Sequence, residues 1–225
     1  MTRRQGWLVG LSVALLAGVV ALVLVGVQRL EFFRIRAVEV AGVRLLDERD
    51  LVARIGIPRD AHILVPLEPI AAAAEALPGV RSATVARRWP GTLLITVREA
   101  PAVALAVQEG HVLVIDDRAG VLPVDPARLE APLPIAARDS VVASLLGRLQ
   151  ATDPQWYRQV DRATIDGRVV RLHVGPRTVL LGAGAGTEVF RHLAAVREWL
   201  AERQRDWRAI DARFRGRMFV QGAAA

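Results

Sequence analysis

The sequence predicts an α+β protein with an N-terminal transmembrane helix, a small β-α-α-β-β domain and a larger, mostly antiparallel β domain with two helices. Three observations lead to this fold class: an uncharged apolar segment near the N-terminus, two alternating runs joined by Trp89-Pro90-Gly91, and short strand-like runs throughout the C-terminal half. The predicted boundaries are a tail over 1–6, a membrane helix over 7–27, the first domain over 28–101 and the second over 102–225.

The segment from Trp7 to Val27 contains no charged residue. As a helix it would extend about 31 Å, which matches the roughly 30 Å hydrocarbon thickness of a bilayer. A cleaved signal peptide would have a shorter apolar stretch followed by an Ala-x-Ala-like site, and a buried core helix is the other alternative. We therefore predict an uncleaved anchor, and its main membrane-facing side chains are Trp7, Leu8, Leu11, Leu15, Leu16, Leu22, Leu24 and Val27. Arginines on both sides leave its orientation open on charge alone.

The first domain is predicted to begin with a strand over 36–40 and two helices. Asp47 is a suitable N-cap for the first helix, and Gly56 can supply its left-handed C-terminal residue. Pro69 suits the first position of the second helix, which is predicted to run through Leu77.

A β-hairpin completes this domain. In its second run Leu93, Ile95 and Val97 alternate with Thr92, Leu94, Thr96 and Arg98, which is the period of a half-buried strand. Pro90 and Gly91 predict a type II turn between the two runs, because proline fixes φ at the first central position and glycine tolerates a positive φ at the second.

The second domain is predicted to contain a hairpin, a three-stranded meander, two helices and a terminal strand. Asp139 is the expected cap of the first helix, and Thr187 is the expected cap of the last one. Ile210, Ala212 and Phe214 alternate with polar residues in the terminal strand, which the run from Met218 to Val220 extends or follows. The other strands are expected at 112–115, 121–124, 163–165, 169–174 and 178–181.

Composition narrows the possible functions. The chain has no cysteine, which excludes disulfide and thiolate chemistry. Its formal net charge is +7 and every basic residue is arginine. These arginines are scattered among acidic residues and are not interleaved with stacking aromatics, so nucleic-acid binding is disfavoured.

Several segments imitate an enzyme, but none has the required pattern. The glycine-rich run over 182–186 lacks the spacing of a nucleotide-binding loop and the lysine of a P-loop. The neighbours Asp116 and Asp117 are explained by a hairpin turn. The four histidines are isolated in sequence, and Ser140 and Ser144 have no nucleophile-elbow setting. We predict no enzyme activity, no metal and no cofactor.

The order of motifs resembles the FtsQ/DivIB family of bacterial cell division proteins. The similarity is carried by Phe32-Phe33-Arg34-Ile35 leading into Val38-Glu39-Val40-Ala41-Gly42, by Leu77-Pro78-Gly79-Val80 and by Arg88-Trp89-Pro90. It continues through the hairpin that starts at His111 and through Leu133-Pro134-Ile135. The resemblance implies that the first domain is a POTRA domain beside the membrane and that the second is the β domain of this family.

The resemblance also implies a function and an orientation. The implied protein is a non-enzymatic divisome scaffold in the inner membrane at the division septum. It has a cytoplasmic N-terminus and a periplasmic bulk, and it links early division proteins to septal peptidoglycan synthesis. Its terminal strand would receive FtsB by strand addition, with FtsL nearby. The implied contact residues are Arg213, Phe214, Arg215, Met218, Phe219 and Val220. The alternatives are a POTRA-bearing protein-export component and a membrane-anchored envelope enzyme.

Overall fold

The computed structural model describes residues 13–20, 22, 33–58, 61–129, 131–214 and 216–222. The folded chain divides into two compact units. The first reaches Val43 and continues over Asp47–Leu77 and Ser82–Arg98, and the second comprises Arg44–Leu46, Pro78–Arg81 and the chain from Glu99 onward. The second unit therefore takes up two short segments that precede the predicted boundary at residue 101.

Part of the predicted anchor is described. Residues 13–20 are helical, and Leu15 and Leu16 are 71% and 65% exposed. Leu22 is also exposed, whereas Trp7, Leu8, Leu11, Leu24 and Val27 lie outside the described residues. Within the described part of the chain, none of the helices has both the length and the apolar character needed to cross a bilayer. The membrane helix over 7–27 thus stays a prediction.

The β-α-α-β-β order of the first domain is confirmed. Its three-stranded sheet has the order β1-β3-β2, and β1 runs parallel to β3. The elements are β1 (Ala37–Ala41), α1 (Glu48–Ile55), α2 (Glu68–Glu75), β2 (Val80–Arg88) and β3 (Thr92–Glu99).

Local sequence signals set the bounds of these helices. The Asp47 side chain accepts hydrogen bonds from the backbone N–H groups of Arg49 and Asp50, and Gly56 ends α1 with φ 70°. Pro69 is the second residue of α2, one position later than predicted, and α2 ends at Glu75 and does not reach Leu77.

The hairpin alternates as predicted, but its turn differs. Leu93, Ile95 and Val97 are all at most 3% exposed. The Trp89-Pro90 peptide bond is cis, and Gly91 does not adopt a positive φ, so the predicted type II turn is wrong. Glycine is needed there for a different reason, because a Cβ at Gly91 would lie 2.4 Å from the carbonyl oxygen of Arg34.

The second unit contains a nine-stranded sheet with the order β12-β11-β10-β9-β8-β7-β4-β5-β6. Five of its eight strand pairs are antiparallel and three are parallel, which confirms a mostly antiparallel domain. The strands are β4 (Ala102–Gln108), β5 (His111–Asp116), β6 (Val121–Leu122), β7 (Ile135–Ala136), β8 (Arg162–Asp166), β9 (Val169–Val174), β10 (Arg177–Gly182), β11 (Trp207–Asp211) and β12 (Phe219–Gly222).

Helices bury their apolar stripes in the core of this unit. The two predicted helices are α3 (Ser140–Thr152) and α5 (Thr187–Glu202), and a short α4 (Pro154–Tyr157) was not predicted. The Asp139 side chain caps α3 as expected. Gly186, not Thr187, is the N-cap of α5, and it makes no side-chain cap hydrogen bond. The core includes Leu145, Leu149, Trp156, Phe190, Leu193 and Ile210.

A carboxylate holds one loop of the second unit. Glu99 accepts hydrogen bonds of 2.8 to 3.1 Å from the backbone N–H groups of Arg44, Leu45 and Leu46. These donors belong to a loop without regular secondary structure, and Leu45 and Leu46 are half-buried, so Glu99 supplies the acceptor that their N–H groups need.

Candidate protein-binding edge

Strand β12 is an outer edge of the nine-stranded sheet. It pairs antiparallel with β11 on one side, where Val220 lies opposite Ile210 and Phe219 lies opposite Asp211. Among the described residues no strand pairs with its other side. An edge strand offers a row of N–H and C=O groups to a further strand, and all four residues of β12 are exposed.

Apolar side chains surround this edge. Phe214, Phe219 and Val220 are 52%, 57% and 41% exposed, and the rings of Phe214 and Phe219 meet edge to face with centroids 5.4 Å apart. Met218 is partly buried against the core. The structure thus brings four of the six predicted contact residues to one region. Arg215 lies outside the described residues.

Arg213, the remaining predicted residue, is held by Asp211. Its Nε donates to Oδ1 at 2.9 Å and its terminal nitrogen donates to Oδ2 at 2.6 Å, which is a bidentate pair. This pair lowers the pKa of the Asp211 carboxyl, mainly through the side-chain hydrogen bond from Arg213. The Arg213 guanidinium carbon also lies 5.6 Å from the centroid of the Phe214 ring. The arginine is therefore fixed beside the aromatic pair.

The segments that imitate an enzyme have structural roles. Asp116 Oδ1 accepts hydrogen bonds from the N–H groups of Arg118 and Gly120 and so closes the β5–β6 turn, while Asp117 forms an ion pair with Arg81. The glycine-rich run connects β10 to α5. Within the described residues, no three histidine or acidic side chains are grouped to hold a metal ion.

Comparison with known proteins bears on the first domain most directly. A family model described as "POTRA domain, FtsQ-type" matches residues 33–100. The chain carries an FtsQ-type POTRA domain. Two curated relatives, both named "Cell division protein FtsQ" and both from Caulobacter vibrioides (strains NA1000 / CB15N and ATCC 19089 / CIP 103742 / CB 15), are 29% identical to it over 126 residues. These findings confirm the predicted resemblance to the FtsQ/DivIB family.

The match to the two FtsQ proteins has a limited extent. It covers 55% of this chain and 42% of each relative, so the chain spans less than half of their length. The comparisons show that the chain is similar to FtsQ and that it has an FtsQ-type POTRA domain.

The predicted terminal strand of this FtsQ-like chain differs from the observed one. The strand expected to run through Phe214 ends at Asp211, and it lies inside the sheet between β10 and β12. Its pairing with β10 is parallel, and the Ala212 N–H continues it by donating to the Leu180 carbonyl at 2.9 Å. The edge is instead the separate strand that follows, which begins at Phe219 and not at Met218.

Sequence reasoning missed two residues of the FtsQ-like chain's edge strand, Gln221 and Gly222. The available signal was weak, because a four-residue strand with only two apolar residues gives no clear alternation. Long-range pairing with β11 extends the strand to Gly222, which lies opposite Trp207.

Proposed function

We propose that this chain is a non-enzymatic, single-pass membrane scaffold of the bacterial division apparatus, and that β12 receives a strand from an FtsB- or FtsL-like partner. The observation that carries the proposal is the outer edge of β12, which has one paired side and exposed residues throughout. In this role the protein links early division proteins to septal peptidoglycan synthesis.

Strand addition suits this edge physically. Main-chain hydrogen bonds to an added strand give affinity, and alternate side chains give specificity. Phe219 and Val220 point to opposite faces, since successive residues of a strand do so, and both have apolar surface left to bury. The Phe214 ring against Phe219 widens the contact surface on one face.

Membrane attachment is the second part of the proposal. The apolar, exposed side chains of residues 13–20 would be costly in water and are suited to lipid. We propose that they belong to the anchor over 7–27, with the N-terminus in the cytoplasm and the folded units in the periplasm. This arrangement would bring β12 to the compartment in which septal wall synthesis takes place.

The test uses the full chain in detergent with FtsB and FtsL from the same organism. A photo-reactive phenylalanine analogue at Val220 should crosslink to one of these proteins, and the same analogue at Val112 of β5 should not. Val112 is a matched control because it is 49% exposed in the same sheet, away from β12. Equal crosslinking from both positions would contradict the assignment of the edge.

Depletion in cells tests the broader role. Loss of a divisome scaffold should block septation and give elongated cells. If depleted cells kept dividing at normal length, the role in division would be wrong whatever β12 binds.

A further inference from the structure

A second region of the β domain has the composition of a ligand site. We call it the Trp156 cleft; it has a volume of about 710 Å³ and is formed by α4, α5, the β9–β10 turn and the start of β11. A volume of this size lies within the range of ligand pockets, which is roughly 300–1,000 Å³. The lining side chains used below are Asp153, Trp156, Arg177, Arg197, Arg205 and Trp207.

Arginines in the cleft are stacked on tryptophans. The guanidinium carbon of Arg197 lies 4.6 Å from the centroid of the Trp156 ring, and that of Arg177 lies 5.1 Å from the centroid of the Trp207 ring. Stacking fixes the plane of each guanidinium while its edge remains available for hydrogen bonds. Two oriented cations therefore line one cleft.

Three acidic residues also line the cleft, Asp153, Glu198 and Asp206, and they satisfy Arg177 and Arg197 only in part. Asp153 uses Oδ1 to cap α4 at the Trp156 N–H and leaves Oδ2 for a single 3.2 Å contact with Arg197. Asp206 makes one 3.2 Å contact with Arg177, and its side chain is 81% exposed. An arginine has five N–H donors, so both guanidinium groups keep donors for another acceptor. Arg205 has no carboxylate partner within the described part of the chain.

A buried donor is also left over. Trp156 is 1% exposed, and its Nε1–H has no hydrogen-bond partner among the described residues. Leaving such a group unpaired is unfavourable, so a buried indole N–H usually has an acceptor. Burial, the largest cause, lowers the pKa of Arg197, and the positive charge of Arg177 acts in the same direction. A bound anion would counteract both the burial of the Arg197 charge and its repulsion by Arg177.

We propose that the Trp156 cleft is a binding site for an acidic peptide segment, in which Arg177 and Arg197 hold a side-chain carboxylate. A planar carboxylate matches the guanidinium fork, and the cleft is much larger than one carboxyl group, so it accommodates the flanking peptide as well. The site goes beyond the proposed capture of a strand by β12. Its location is close to that edge, because Trp207 lies opposite Gly222 in the β11–β12 ladder.

The experiment uses the full chain in detergent micelles, labelled with 5-fluorotryptophan at its five tryptophans. The probe is the peptide acetyl-Gly-Glu-Gly-Glu-Gly-amide, and its glutamine analogue is the control. We expect the fluorine resonances of Trp156 and Trp207 to shift saturably with the glutamate peptide, while that of Trp89 stays constant. Added salt should weaken the binding, since part of the attraction is between charges.

Arginine variants identify the residues that bind. Arg177→Gln and Arg197→Gln should each raise the Kd at least about tenfold, which corresponds to the loss of about 1.4 kcal/mol. Arg191→Gln is the matched control, because Arg191 lies on α5, does not line the cleft and should leave the Kd within about twofold. Arg177 is 43% exposed, so Arg177→Gln keeps the test valid even if Arg197→Gln fails to fold.

Three results would overturn the proposal. The first is the absence of any saturable shift with the glutamate peptide, and the second is equal binding of the glutamine peptide. The third is acetate that binds as tightly as the peptide with the same arginine dependence, which would make the cleft a site for free carboxylates. None of these results bears on crosslinking at Val220, so this proposal and the proposed function can fail separately.

Discussion

Val220 lies directly opposite Ile210 in the ladder between β12 and β11, yet Ile210 is 0% exposed and Val220 is 41% exposed. Paired residues of an antiparallel ladder have their side chains on the same face of the sheet. On this face of the sheet, the apolar side chain of β11 is therefore buried, whereas that of β12, one strand further out, is exposed to solvent. A strand added to β12 would extend the covered surface.

This relationship gives a first prediction for the edge. Replacing both Phe219 and Val220 with serine should weaken partner capture by at least about tenfold, because each removes apolar surface that an added strand would bury. The free energy of unfolding should change by less than about 1 kcal/mol, since both side chains are exposed. Co-purification with FtsB and FtsL, together with urea unfolding, measures the two effects.

The matched control for the edge variant is the same change at Val107 and Val112. They form an exposed cross-strand pair of β4 and β5, with 63% and 49% exposure. This double variant should capture partners as the native chain does. An equal loss in both variants would mean that β12 has no special role.

A second prediction concerns the loop held by Glu99. Glu99→Gln replaces one acceptor oxygen by a donor facing the N–H groups of Arg44 to Leu46, so it should lower the free energy of unfolding by about 1–3 kcal/mol. Glu39→Gln is the control, because the interaction of Glu39 within the described chain is an exposed ion pair with Arg88, of the kind that contributes about 0–1 kcal/mol. Urea unfolding of both variants gives the comparison, and equal costs would remove the role assigned to Glu99.

A third prediction separates structure from chemistry at Asp116. Asp116→Ala should destabilise the protein by about 1–3 kcal/mol, because the N–H groups of Arg118 and Gly120 lose their acceptor. Asp116→Asn keeps an acceptor oxygen and should cost less. Urea unfolding of both variants measures this difference, because the sequence predicts a turn and no enzyme chemistry at Asp116. If alanine and asparagine were equally tolerated, the turn would not depend on this carboxylate.

A fourth prediction is the pH dependence of Asp211. Its pKa is lowered in the folded chain, so its contribution to stability is fully present above the unfolded value of about 3.9. That contribution is lost as the pH falls through the lower, folded pKa. Carboxyl NMR titration should show Asp211 titrating below the ordinary range, and Arg213→Gln should return it toward that range. An unchanged titration in Arg213→Gln would show that the bidentate pair is not the cause.

Elements with local signals could be predicted from sequence. Asp47 and Asp139 cap their helices as expected, because a cap is a hydrogen bond between residues two or three apart. The alternation of Leu93, Ile95 and Val97 predicted the buried face of β3 for the same reason. The type II turn predicted at Pro90-Gly91 is wrong, since Gly91 has no positive φ and packs against the backbone of Arg34, a residue far from it in sequence.

The sequence by itself determined the two-part α+β plan and the order of most elements, and it predicts the region in which a partner would bind. Tertiary structure decided which strand is the edge: the parallel pairing of β11 with β10 places Ile210 inside the sheet and leaves β12 outermost. It also assembled the Trp156 cleft, whose arginines and tryptophans come from positions far apart in the chain. Periodicity and capping depend on neighbouring residues, whereas strand order and clefts depend on contacts between distant ones, which local patterns do not specify.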